Sequence, residues 1–304
     1  MKIAVFPGQG SQSPGFLAPW LEIDSARERL SRYSDFAEID LVAAGTEWDA
    51  DRIRDTQVAQ PLIVAASLLS WNLLTDHSAI GAVAGHSVGE FAAAVAAGIL
   101  TDEDALRLVG IRGRAMAEAA SQTATGMSAV IGGDETAILT RLEELDLTPA
   151  NYNGGGQLVV AGAVEALANL AASPVAGTRV ISLPVAGAFH TRYMLPAVDA
   201  LRAAVTTAAV SAPALMIHTN KDGSVVTSGE EFIDLLVAQV ASPVRWDLCM
   251  SAFAQAEVSG IVELSPAGAL TGLAKRALRG VPTVAVKTPD DLEAAETLLG
   301  AVSE

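Results

Sequence analysis

Gly85-His86-Ser87-Val88-Gly89 sets a hydroxyl between two glycines at the G-x-S-x-G spacing of a nucleophile elbow. A strand that turns at once into a helix brings backbone and Cβ atoms too close, so small residues must flank the serine. The turn pushes the hydroxyl outward over the helix N-terminus, where orphan N–H groups and the helix dipole favour developing negative charge. The N–H of Val88, one residue past the serine, is a natural oxyanion donor. The chemistry that follows is acyl transfer through a serine ester. The five-residue pattern alone also fits a tight strand-helix turn with an incidental serine.

Such a serine needs a proton acceptor, and histidine titrates nearest neutral pH. The chain has four histidines. His86 adjoins the serine, but a sharp turn should aim its ring elsewhere. His77 ends a polar stretch, and His218 lies in an apolar strand, the setting of a satisfied core histidine. His190 follows Ala186-Gly187-Ala188-Phe189, a small-residue loop at a boundary between two rhythms of secondary structure. Sites form at such junctions, so His190 is favoured modestly over the others. No aspartate stands out as its orienting partner.

Arg112 narrows the chemistry. At about 100° per residue, Ala105, Leu108, Val109, Met116 and Ala119 share one face of a helix that starts at Thr101, with Arg112 in the middle of that face. Glu103, Arg107, Arg114 and Glu118 fall on the opposite side. A guanidinium turned to a core must be paired, reach water along its stem, or line a cavity. Lining a cavity, it would hold a carboxylate in its fork.

The elements that must position these residues alternate between strand and helix. Lys2–Phe6 reads as a strand ended by the loop Pro7-Gly8-Gln9-Gly10-Ser11. Pro61–Leu74 reads as a buried helix with Pro61 in its first turn. Ile80–Ala84 and Val88–Ala97 form the strand and helix around Ser87, and Thr101 caps the arginine helix with Asp104 three residues on. From about Gly126 to Val185 the order becomes β-α-β-β-α-β, the ferredoxin-like unit. Strand-helix alternation then resumes, with helices at Ala197–Ala208, Glu230–Val240 and Gly268–Arg279 and strands at Met216–Thr219, Ile261–Leu264 and Thr283–Val286. The expected architecture is a large α/β-hydrolase-like domain with a parallel-sheet core, residues 1–124 and 188–304. A ferredoxin-like small domain, residues 125–187, is inserted into it.

Composition bounds the partners. The 304 residues are 51% hydrophobic, enough for one large core or a core with a small satellite. With 19 basic against 35 acidic residues, the net charge of −16 argues against nucleic acid and anionic membrane as partners. One cysteine, Cys249, and no HxH or HxxxH pair argue against a disulfide framework and a metal cluster. No signal peptide is expected, because Met1-Lys2 leads straight into a short strand and then Pro7-Gly8. The apolar run from Ala79 to Leu100 carries His86, Glu90 and several glycines, which suits a buried strand-turn-helix better than a membrane span. A cytoplasmic protein without bound cofactor or metal, acting as a monomer, is expected.

Several motifs along the whole chain resemble the malonyl-CoA:acyl-carrier-protein transacylases of type II fatty acid synthesis and the acyltransferase domains of polyketide synthases. They are Phe6-Pro7-Gly8-Gln9-Gly10-Ser11-Gln12, Thr56-x-x-x-Gln60-Pro61, Gly85 to Glu90 and Arg112-Gly113-Arg114-Ala115-Met116. Asn151-Tyr152-Asn153, Phe189-His190 and Gln239-x-x-x-Pro243-Val244-Arg245-Trp246 continue the series. The resemblance implies Ser87 as acylated nucleophile, His190 as base, and the backbone N–H groups of Gln9 and Val88 as the oxyanion hole. It implies that Arg112 binds the malonyl carboxylate and that a backbone carbonyl near Gln239 orients the histidine. His86, Asn153, Asn220, Gln60 and Met116 would line the site, and Phe189 would crowd a methyl on the acyl α-carbon. Such a methyl is worth about 1–3 kcal/mol. The substrates implied are malonyl-CoA and phosphopantetheinylated acyl carrier protein. For that acidic partner Lys275, Arg276 and Arg279 in a late helix offer a basic surface. The Gly8-Gln9-Gly10 loop lacks the third glycine of a dinucleotide loop and the Lys-Ser/Thr of a P-loop, which argues against a phosphate cradle. The competing functions are a serine thioesterase or esterase with water as acceptor, a non-catalytic carrier-binding module, and supply of polyketide rather than fatty acid synthesis.

Overall fold

A computed structural model describes residues 1–300. Its strands are β1 (Lys2–Phe6) and β2 (Ile80–Gly85), then β3 (Thr125–Gly132), β4 (Thr148–Gly154), β5 (Gln157–Ala163) and β6 (Thr178–Ser182). The chain continues with β7 (Met216–His218), β8 (Val225–Val226), β9 (Gly260–Glu263) and β10 (Thr283–Ala285).

Two sheets result. The larger has the order β10-β9-β1-β2-β7-β8 and is parallel except for the β7–β8 edge pair. Its central strand β1 is buried at every position, because helices cover both faces of a parallel sheet and its strands therefore read as unbroken apolar runs. The smaller sheet, β4-β5-β3-β6, is antiparallel throughout, with helices Glu135–Glu144 and Val164–Ala172 between its strands. It has its own apolar cluster around Val130, Leu142, Leu158 and Val160. An isolated parallel bridge, Asn151 to Val244, ties β4 to the larger unit.

Several elements differ from the sequence reading, and three have a clear physical reason. The helix expected from Pro61 begins at Thr56 and runs to Leu73, with Asp55 accepting from the Gln57 N–H as its cap. Pro61 therefore lies inside the helix, not in its first turn. The cap residue, not the proline, sets the start. Helix Trp246–Gln255 was not foreseen, although Trp246, Cys249, Met250 and Phe253 give it a buried face at helical spacing. Helix Leu292–Gly300 was also missed. Only Ala295 and Leu299 are buried there, and the acidic residues around them dilute the pattern.

The helix Thr56–Leu73 packs along Asp102–Ser121 at the centre of the main core. The two approach closely at Gly113, where an added Cβ would lie 3.0 Å from the Thr56 carbonyl oxygen. Among the described residues no helix is long and apolar enough to cross a membrane, and no group of three or more His, Cys, Asp or Glu could hold a metal.

Candidate active site

Strand β2 hands over to helix Gly89–Ala96 through His86-Ser87-Val88, and the crowding there is severe. A Cβ on Gly85 would lie 2.1 Å from the Glu90 nitrogen, and one on Gly89 would lie 2.2 Å from the Phe6 carbonyl oxygen. Ser87 itself takes φ 52°, in the left-handed region that a non-glycine residue enters at a cost of roughly 1–2 kcal/mol. Two contacts hold it there. The His86 N–H donates to the Phe6 carbonyl at 2.9 Å, and the Ser87 N–H donates to Asn220 Oδ1 at 2.7 Å. Asn220 Nδ2 donates to the Gly85 carbonyl at 2.7 Å, so one side chain clamps both ends of the turn.

Ser87 Oγ lies 2.7 Å from His190 Nε2. His190 Nδ1 is 2.8 Å from the backbone carbonyl of Gln239, which can only accept, so Nδ1 carries the proton and Nε2 is free to take one. His190 also sits at positive φ, 62°, and its loop is pinned by Thr191 Oγ1 donating to the Ala188 carbonyl at 2.6 Å. Thr125 Oγ1 accepts from the Ala188 N–H at 3.0 Å. Burial, and then the Arg112 charge, lower His190 to about 3, against the opposing pull of the Gln239 carbonyl. The imidazole is therefore neutral in the resting site.

Arg112 is 1% exposed. Its Nη1 donates to Gln60 Oε1 at 2.6 Å and its Nη2 to Gln239 Oε1 at 3.2 Å, both uncharged amides. Its Nε is buried with no partner. Burial lowers the guanidinium to about 10, while the Glu90 charge opposes that shift. This is a desolvated cation with donor capacity to spare, and it shares one cavity of about 90 Å³ with Ser87 and His190.

The other residues named from sequence fall around the same cavity or just behind it. Gln9, Gln60, His86, Val88, Met116 and Phe189 line it. Among the described residues, no acceptor is hydrogen-bonded to the backbone N–H of Gln9 or of Val88. His86 turns away from the serine: its Nε2 meets Asn153 Oδ1 at 2.9 Å, and its ring stands edge-on to Trp246. Burial lowers its pKa. Phe189 lies close over Gly187, where an added Cβ would meet Phe189 Cε1 at 3.1 Å and Ala120 Cβ at 2.7 Å. His218 is buried, bonded through Nδ1 to the Gly223 carbonyl and edge-on to Phe253, far from any role at Ser87.

Two site residues were missed. Asn151, from the bridge that ties β4 to the larger unit, lines the cavity with a buried and unpartnered Oδ1. Glu90 is 1% exposed and contacts both Asn220 and Gln239. The signal that singles out Arg112 was available for it too: Glu90 is a charge inside an otherwise apolar helix.

A sequence model described as the acyl transferase domain matches residues 4–296. The malonyl CoA-acyl carrier protein transacylase of Mycobacterium tuberculosis is 50% identical over 291 residues, covering 94% of this chain and 96% of that protein. The crystal structure of MCAT from the same organism superposes with a TM-score of 0.93 at 49% identity, covering 97% of this chain and 99% of the other. A malonyl-transacylase in complex with its type II polyketide acyl-carrier protein superposes with a TM-score of 0.90 at 31% identity, over 97% and 98% of the two chains. A match over nearly the whole length, together with relatives this similar, shows that the chain belongs to the acyl transferase domain family.

Proposed function

We propose that the protein transfers a malonyl group from malonyl-CoA to the phosphopantetheine thiol of an acyl carrier protein, by a ping-pong route through malonyl-Ser87. The observation that carries this reading is the pairing of the 2.7 Å Ser87–His190 contact with a buried, under-partnered Arg112 in one cavity. An ester hydrolase has no use for the arginine. An acyl group that ends in a carboxylate does. The names and near-complete coverage of the relatives support the same substrate pair.

In the first half-reaction Ser87 Oγ attacks the thioester carbon while His190 Nε2 accepts the hydroxyl proton. The N–H groups of Gln9 and Val88 receive the oxyanion, a role worth roughly 10²-fold or more per donor. Collapse of the tetrahedral intermediate breaks the C–S bond, and the His190 proton passes to the departing CoA thiolate. In the second half, the carrier thiol gives its proton to His190 and attacks the serine ester. The proton then returns to Ser87 Oγ. Arg112 binds the malonyl carboxylate throughout, and the Gln239 carbonyl keeps the histidine in the productive tautomer. No bound cofactor enters the scheme. The same reading treats 1–124 with 188–304 and 125–187 as two domains with the site at their junction.

Intact-mass measurement after incubation with malonyl-CoA tests this. The parent chain should gain one malonyl group and release it when carrier protein is added, with malonyl appearing on the carrier. Ser87→Ala should gain none. A full adduct on that variant, or malonate released to water with the carrier left unloaded, overturns the transferase assignment.

A further inference from the structure

Glu90 is the second residue of the helix that opens at Gly89, and it lies at the back of the site without touching the cavity that holds Ser87. Its Oε1 accepts the backbone N–H of Asn220 at 2.7 Å, and its Oε2 accepts Gln239 Nε2. Burial pushes this carboxyl up to about 8, against the smaller lowering pull of the Asn220 N–H and the Arg112 charge. The Gln239 amide is the link between them. Its nitrogen also faces Asn220 Oδ1 at 3.2 Å and the Ser87 carbonyl at 3.3 Å, and its oxygen faces Arg112 Nη2 at 3.2 Å. Three acceptors surround the nitrogen and a cation meets the oxygen, so the amide has one orientation.

We propose that Glu90 is a positioning residue for the substrate carboxylate: it fixes the Gln239 amide with its oxygen toward Arg112, and so keeps the guanidinium aimed into the cavity. This rests on the reading of Arg112 as the carboxylate receptor. It adds a role for the Gln239 side chain that is separate from the backbone carbonyl holding His190. The arrangement is a buried carboxyl, both of whose oxygens face N–H donors, and a buried guanidinium bridged by one polarised amide, a network in which each member sets the next. Turned over, the amide would present N–H groups to Arg112, donor against donor, and the guanidinium would lose one of its two acceptors.

Substitution at Glu90 separates this role from plain packing. Glu90→Gln keeps an oxygen for the Asn220 N–H but sets an NH2 against Gln239 Nε2, donor against donor, and so loosens the hold on the Gln239 amide. Loading of Ser87 by malonyl-CoA should then show a KM raised about tenfold or more, the size of one hydrogen bond to a charged group. Its kcat should change far less. Loading from acetyl-CoA, which has no carboxylate to place, should keep its KM in the same variant, a distinction that a packing role does not give. Gln239→Met removes the bridge while leaving Glu90 in place. It should raise KM by a similar factor, and it decides the matter if Glu90→Gln does not fold. An unchanged KM for malonyl-CoA in the folded single variants, or an equal rise for acetyl-CoA, overturns the proposal. A parent chain that takes no malonyl at all overturns the transferase reading instead.

Discussion

Arg112 has two amide oxygens for partners and an idle Nε, so its charge acts on whatever else enters the cavity. Two consequences follow for an Arg112→Ala variant. Malonyl loading should fall by about 10²-fold, because each lost hydrogen bond to a charged group is worth about 1.5–3 kcal/mol. Acetyl loading should survive, since an acetyl group has no carboxylate to place. The second consequence is on pH. The imidazole must be neutral to accept the serine proton, and its pKa is lowered to about 3 by burial and then by the Arg112 charge. In the parent the acid limb of the rate therefore lies well below the usual histidine range, and activity persists as pH falls through 6. Removing the cation relieves the second cause, so the His190 pKa rises and the acid limb moves to higher pH. Acetyl-loading rates across pH in parent and variant check this. A limb that stays put or moves downward contradicts the assigned coupling.

The strand-turn-helix around Ser87 depends on two glycines for space, not flexibility, since each added Cβ would meet backbone atoms near 2 Å. Gly89→Ala should therefore destabilise the fold by more than about 2 kcal/mol, as overpacking against rigid backbone does. Gly272 is the contrast. It lies inside helix Ala269–Ala277 with nothing within 4 Å of its would-be Cβ, so Gly272→Ala should stabilise by about 0.5–1 kcal/mol. Chemical denaturation of the two variants against the parent reads both signs. The same elements explain what the sequence made legible. The elbow was readable because steric necessity leaves a local five-residue trace, and Arg112 because a charge on an apolar helical face violates a periodic pattern. The antiparallel unit was readable from its β-α-β-β-α-β rhythm. The Gln239 side-chain bridge was not readable, because its partners Ser87, Glu90, Arg112 and Asn220 are distant in sequence and meet only when helix Gly229–Gln239 ends beside the elbow. Reading Pro61 as a helix start failed for another reason. A proline marks a helix start only when no cap lies upstream, and Asp55 is such a cap.

The molecule as a whole carries a charge of −16, so a carrier protein that is itself acidic meets repulsion at long range. At physiological ionic strength that field is screened beyond about 8 Å, and docking is decided by local charge. Lys275 and Arg276 lie exposed in the last turn of helix Ala269–Ala277, and Arg279 lies exposed just past its end. Arg276 reaches across to Gln157 of β5 at 3.3 Å, and its Cβ lies 3.5 Å from where a Cβ on Gly155 would be. Arg276 of this cluster therefore touches the smaller sheet. Gly155 is two residues past Asn153, whose side chain bonds His86 beside the nucleophile. Reversing all three charges to glutamate should raise the KM for carrier protein by about tenfold or more, because rim charges govern encounter and orientation. Loading from malonyl-CoA should fall by a smaller factor, since the CoA phosphates are anionic but present far less charged surface to this rim than a carrier protein does. Raising ionic strength should narrow the gap between parent and variant by screening the local attraction. Separate measurement of the two half-reactions decides it: equal losses in both, or a loss in neither, would remove this cluster as the docking surface.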